Sequence, residues 1–89
     1  MVNAGQQNRM KRTVERLFAT SCGRPVSAYL KELSILGFTQ TGGDPFALRL
    51  ENKGFDLFLE LMLDPGQCIH RYWVGTSAQR EARQRKFRW

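Results

Sequence analysis

Residues 55–75 read FDLFLELMLDPGQCIHRYWVG. Leu57, Leu59, Leu61 and Leu63 occupy every second position, with Asp56, Phe58, Glu60, Met62 and Asp64 between them. Successive side chains of a strand point to opposite faces of a sheet, so this spacing predicts a strand that turns its leucines to a core. Asp64-Pro65-Gly66-Gln67 follows as a turn, with Pro and Gly in the central positions that suit type II. Residues 68–75 are rich in β-formers (Ile69, Tyr72, Trp73, Val74) and predict the returning strand. Setting Leu63 opposite Cys68 places Leu61 against His70, Leu59 against Tyr72 and Leu57 against Val74. The reverse face then pairs Met62 with Ile69, Glu60 with Arg71 and Phe58 with Trp73. Cross-strand charge and aromatic pairs of this kind contribute about 0.2–1 kcal/mol each.

Working outward, Phe46, Leu48 and Leu50 alternate with Ala47, Arg49 and Glu51 and predict a preceding strand. Keeping Leu50 beside Phe55 sets Arg49 opposite Asp56 and avoids facing Glu51 with Asp56. Residues 38–41 form a short further strand, closed by a Gly42-Gly43-Asp44-Pro45 loop. Nearer the N-terminus the period lengthens. Met10, Val14, Leu17 and Phe18 share one face of a helix over about residues 7–20. Gly23 and Pro25 break it, and Val26, Leu30, Leu33 and Leu36 line a second helix. Gly37 suits the left-handed residue that ends a helix, with Phe38 folding back on the last turn. The expected fold is α+β: two N-terminal helices packed on a three- or four-stranded antiparallel sheet, then a basic C-terminal helix or tail. Residues 1–76 make the single domain and residues 77–89 the Arg-rich C-terminal segment.

The charge is unevenly placed. Residues 77–89 hold Arg80, Arg83, Arg85, Lys86 and Arg88 against Glu81 alone. Residues 1–16 hold Arg9, Lys11, Arg12 and Arg16 against Glu15. The stretch between carries five cations and six anions, so the formal net charge of +6 belongs to the two ends. Basic arms on a neutral body point to a polyanion, most often nucleic acid. Arginine dominates the tail, and its planar fork binds phosphate bidentately and stacks on bases. Arg80, Arg83, Arg85, Lys86 and Arg88 are the candidate nucleic-acid contacts, supported by Arg9, Arg12 and Arg16, which recur along one side of the first helix. The plainer reading of each cluster is a solvated surface.

The reverse face of the hairpin is the second candidate. Phe58, Met62, Ile69 and Trp73 make an apolar patch edged by Arg49 and Arg71, where a sheet more often turns polar groups to water. Three covers compete for it: the C-terminal segment with Phe87 and Trp89, a second subunit, or stacked bases of a single strand. The favoured function is therefore non-enzymatic nucleic-acid binding, RNA ahead of DNA. The alternative is a protein-interaction module, a small regulator or inhibitor using the aromatic face and cationic tail. A small ribonuclease toxin comes third.

Composition narrows the rest. Eighty-nine residues make one core, and a chain of this size buries roughly 60–65% of its unfolded surface. The longest apolar-rich stretch, residues 55–63, is far short of the ~20 residues that span a bilayer, so no membrane partner is expected. A polar start without a signal-peptide pattern, and two cysteines expected as reduced thiols, predict a cytoplasmic location. Cys22, Cys68 and a single histidine lack the close pairing of zinc ligands, and no cofactor or metal motif is present. Gly42-Gly43-Asp44 lacks the Lys and hydroxyl of a phosphate loop. His70, Arg71 and Tyr72 are the one cluster resembling acid–base equipment, but strand alternation turns Arg71 away from the other two and buries His70 against leucines. No catalytic residue is assigned.

Two family resemblances bear on these expectations. From Pro25 onward, helix, Gly-Phe, strands and basic helix resemble the order of a double-stranded RNA-binding domain. Gly75-Thr76-Ser77 before Arg80-Glu81-Ala82-Arg83 looks like that family's phosphate-gripping helix start, with the spacing off by one. Residues 26–41 resemble the opening of a HicA-type messenger-RNA toxin, whose catalytic histidine would follow the glycines. Asp44 and Pro45 follow them here, so that activity is not carried over.

Overall fold

A computed structural model describes residues 3–86. The chain runs α1 (Ala4–Phe18), α2 (Ser27–Ile35), β1 (Thr39–Asp44), β2 (Ala47–Asn52), β3 (Leu57–Leu63), β4 (Ile69–Thr76) and α3 (Ser77–Lys86). The four strands form one antiparallel sheet in the order β1-β2-β3-β4, a meander in which each strand pairs with its sequence neighbour. Two helices precede the sheet and one follows it, which is the expected α+β order.

Local chemistry accounts for the helix ends. Asn3 caps α1, its Oδ1 accepting the N–H groups of Gly5 at 2.8 Å and Gln6 at 3.3 Å. At the end of α2, Gly37 adopts φ 100°. Gly37 N–H donates to Ser34 O and Phe38 N–H to Leu33 O, a Schellman closure that folds Phe38 into the core. Asn52 completes this corner from β2. It is 3% exposed, and its Nδ2 donates to Leu36 O at 2.9 Å. A carbonyl left over at the end of α2 is thereby satisfied by a side chain from the sheet.

The leucine face is the core. Burial along β3 alternates without a break, leaving Leu57, Leu59, Leu61 and Leu63 buried and Phe58, Glu60 and Met62 partly exposed. Val14 and Phe18 of α1, and Val26, Tyr29 and Leu33 beside and on α2, cover these leucines together with Phe38, Leu50, Ile69 and Val74. The Phe18 ring lies 5.0 Å from Tyr29 and 5.5 Å from Tyr72, tying both helices to β4. On α2 Tyr29 is buried together with Leu33, whereas Leu30, expected inside, is 40% exposed. The Val26–Tyr29–Leu33 row follows the i, i+3, i+7 spacing of a helix face, and Leu30 sits about 100° around from Tyr29.

Two strand registers differ from expectation. Between β2 and β3 the connection takes four residues, with Asp56 in the left-handed region at φ 51°. Leu50 consequently pairs with Leu59 rather than Phe55, and Arg49 with Glu60 rather than Asp56. The slip is even, so every side chain keeps its face. Between β3 and β4, Leu63 pairs with Ile69 but Met62 with Arg71, leaving His70 as an extra residue in a β-bulge. Beyond it Leu61 faces Tyr72, Glu60 faces Trp73, Leu59 faces Val74 and Phe58 faces Gly75.

The bulge corrects two placements. Ile69, expected on the reverse face, is 1% exposed in the core. His70, expected against the leucines, is exposed. Burying an isoleucine is worth about 1.5–3 kcal/mol, and the bulge is the device that permits it without moving Tyr72 and Val74 from the core side. The turn that creates this offset is also not type II. Gly66 is not left-handed; Gln67 is, at φ 63°. Asp64 Oδ1 accepts the N–H groups of Gly66 and Cys68, both at 2.9 Å, and holds the loop.

β1 runs on through the two glycines to Asp44, with a shift at Thr41, and turns at Pro45-Phe46. The glycines belong to the strand, not to a loop. Phe46 at the turn is 58% exposed. Among the described residues no helix is long and apolar enough to cross a membrane.

Candidate functional site

The second face of the sheet carries the site, and α3 builds it. Thr76 and Gln79 close the junction between β4 and α3 reciprocally. Thr76 Oγ1 accepts the N–H of Gln79 at 3.2 Å, and Gln79 Oε1 accepts the N–H of Thr76 at 2.9 Å. This is a capping box in which glutamine takes the third helical position. Two further ties hold the helix start. Ser77 Oγ donates to Asp56 Oδ2 at 2.8 Å, and Lys11 Nζ of α1 donates to Gln79 Oε1 at 3.4 Å. The strand passes into the helix with no loop between them.

So anchored, α3 turns Arg80 and Arg83, one turn apart, over the aromatic face. The Arg80 guanidinium carbon lies 4.5 Å from the centre of the Phe58 ring. That of Arg83 lies 4.7 Å from the centre of the Trp73 ring. Both are within cation–π range. Trp73 is in turn laid against Gly75, where an added Cβ would fall 2.6 Å from indole Cζ2 and 2.9 Å from Gln79 Oε1. Only glycine admits the indole at that position.

Charge links helix to sheet as well. Glu60 Oε1 accepts from Arg83 Nη1 at 3.2 Å while its Oε2 lies 3.5 Å from Arg49 Nε. Glu60 is 22% exposed and Arg83 35%, so this triad is partly sheltered from screening, and Arg49 at 48% is its solvent edge. Between α3 and the sheet lies a groove of about 690 Å³. Arg49, Phe58, Glu60 and Trp73 line it from the sheet, and Arg80, Glu81, Arg83, Gln84 and Arg85 from the helix. Four arginines against two glutamates give it a positive field over an aromatic floor.

The candidates from sequence divide as follows. Arg80, Arg83 and Arg85 meet Phe58 and Trp73 in this groove. Met62 is half-buried on the same face and pairs with Arg71, while Ile69 has left it for the core. Lys86 ends α3, and Phe87, Arg88 and Trp89 lie outside the described residues. Arg9, Arg12 and Arg16 are exposed on α1 and do not line the groove. The Lys11–Gln79 hydrogen bond nevertheless brings the middle of α1 to the start of α3. Glu60, expected opposite Arg71, instead faces Trp73 and pairs with Arg49 and Arg83, and Gln79 was not singled out from sequence. The Thr-x-x-Gln spacing of the capping box was the signal for Gln79.

The acid–base cluster also changes. His70 and Arg71 are both exposed and line one shallow depression of about 270 Å³ with Cys22 and Tyr72. The bulge breaks the alternation that was expected to separate them. Both cysteines are free thiols. Among the described residues no group of three or more His, Cys, Asp or Glu side chains is placed to hold a metal ion. Compared with models of known protein families, with curated proteins and with solved structures, the chain shows no match.

Proposed function

We propose that the protein binds nucleic acid, RNA ahead of DNA, in the groove between α3 and the sheet, with the cations of α1 as outlying contacts. The observation that carries this reading is the fixed arrangement of Arg80 and Arg83 over Phe58 and Trp73, with Arg49 and Arg85 around the same groove. Cations held in place around a concave surface bind a phosphate chain better than the same charges on a floppy tail, because less side-chain freedom is lost on binding. No catalytic step is needed for this role.

The test is the salt dependence of binding to a uridine oligomer and to a DNA duplex. For a single strand the logarithm of the affinity falls with the logarithm of salt by about 0.7 per phosphate contact. Replacing Arg80, Arg83 and Arg85 together by glutamine lowers that slope by about two. If neither polymer is retained at low salt, the reading fails.

A second reading, a protein-interaction module, is favoured by Ile35, which is 75% exposed at the end of α2, and by Phe46 at 58%. Isolated exposed apolar residues are common, so this is the weaker signal. It predicts a protein partner that stays bound after nuclease treatment.

A further inference from the structure

Aromatic rings on a sheet surface invite comparison with platforms on which single-strand binders stack bases. The rings here are already engaged. Arg80 covers Phe58 and Arg83 covers Trp73, while the indole lies against Gly75. A base stacking on Trp73 would have to lift Arg83 from the ring and break its 3.2 Å hydrogen bond to Glu60.

We infer that the groove grips the sugar–phosphate backbone of a single strand and not its bases, and that Phe58 and Trp73 are positioning residues for Arg80 and Arg83. This rests on the nucleic-acid reading above. A guanidinium over a ring face leaves the N–H donors at its edges free for other partners. Arg83 gives one of its five donors to Glu60, and Arg80 gives none to an acceptor among the described residues. The remaining donors are held at fixed positions along one helical turn, suited to successive phosphate oxygens. Orientation by the rings lowers the entropy lost when phosphate binds. Binding of this kind is indifferent to base identity.

The experiment compares, on the full chain, a uridine oligomer with an oligomer of equal length that keeps every ribose and phosphate but lacks the bases. Stacking is worth enough per base that its loss weakens binding by about tenfold or more, so backbone recognition predicts affinities within about threefold of each other. An abasic oligomer bound about tenfold more weakly overturns the inference while leaving nucleic-acid binding intact. Absence of binding to the uridine oligomer itself removes the functional reading and the inference together. A variant cycle supplies an independent readout. Trp73→Leu weakens binding several-fold, Trp73→Phe restores it, and in an Arg83→Ala background Trp73→Leu adds nothing further. Losses that simply add would mean that Trp73 contacts the ligand itself and would overturn the positioning role. Should Trp73→Leu prove unfolded, the abasic comparison on the unaltered protein still decides.

Discussion

The two faces of this sheet are covered in opposite ways. On one, leucines meet Val14, Phe18, Tyr29 and Leu33 in a dry interior where shape does the selecting. On the other, a helix carrying three arginines and a lysine within its ten residues lies over Phe58 and Trp73, and guanidinium groups take the place that aliphatic side chains hold opposite. The first face is closed to water and stabilises the fold. The second satisfies its aromatic surface with cations. A covered face can therefore still present charge when its cover is itself polar, and the proposed binding role relies on this.

The contrast is broken most severely from the dry side. Leu61→Ala leaves a cavity among fully buried neighbours and lowers stability by about 2–5 kcal/mol in urea denaturation. Next comes Gly75→Ala, which drives a methyl into the Trp73 indole. It costs about 1–3 kcal/mol, and in a Trp89→Phe background the fluorescence of Trp73 reports the displaced ring. Thr76→Ala removes half of the capping box at a cost of about 1 kcal/mol, seen as a loss of helical circular dichroism from α3 with the core transition retained. Smallest in stability is Glu60→Gln, because the ion pairs it weakens are partly exposed and contribute little. It sharpens the comparison through binding instead. Removing a negative charge from the groove tightens polyanion affinity and steepens its salt dependence, measured by titration at several salt concentrations. A separate check concerns His70: if the protein cleaves RNA and His70→Ala leaves that cleavage unchanged, the exposed bulge plays no part in it.

The core face was readable because it rests on period. Leucines at 57, 59, 61 and 63 commit a strand to one orientation whatever it pairs with, and even slips in register preserve that orientation. The Gly37–Phe38 closure was readable for a similar reason, since a left-handed residue there admits glycine most easily. What escaped was insertion. A bulge at His70 adds one residue to one strand, and no local pattern announces it; Ile69 entered the core because of it. The choice of Tyr29 over Leu30 turned on about 100° of helix rotation that two apolar neighbours leave open.

The site was legible in its ingredients and not in its assembly. Arginines in residues 77–89 and the ring pair Phe58 and Trp73 were both marked as candidates, and the C-terminal segment was one of three covers considered. Phe87 and Trp89 were the groups of that segment expected to dock, because buried aromatics ordinarily bring the larger gain. In the described residues the contacts come from Arg80 and Arg83. Cation–π packing has no sequence period, and Arg83 reaches Glu60 only once α3 is in place, so neither contact could be read from the strand alone.

The missing loop at Thr76–Ser77 has a mechanical consequence. A strand that becomes a helix within one residue, with Gln79 bonded to both the junction and α1, leaves no slack to absorb a pull. Tension applied to α3 by a long ligand passes directly into the edge of the sheet. On the nucleic-acid reading proposed above, grip on the ligand and rigidity of β4 are one property, and slower amide exchange along β4 is the trace that loading the helix leaves.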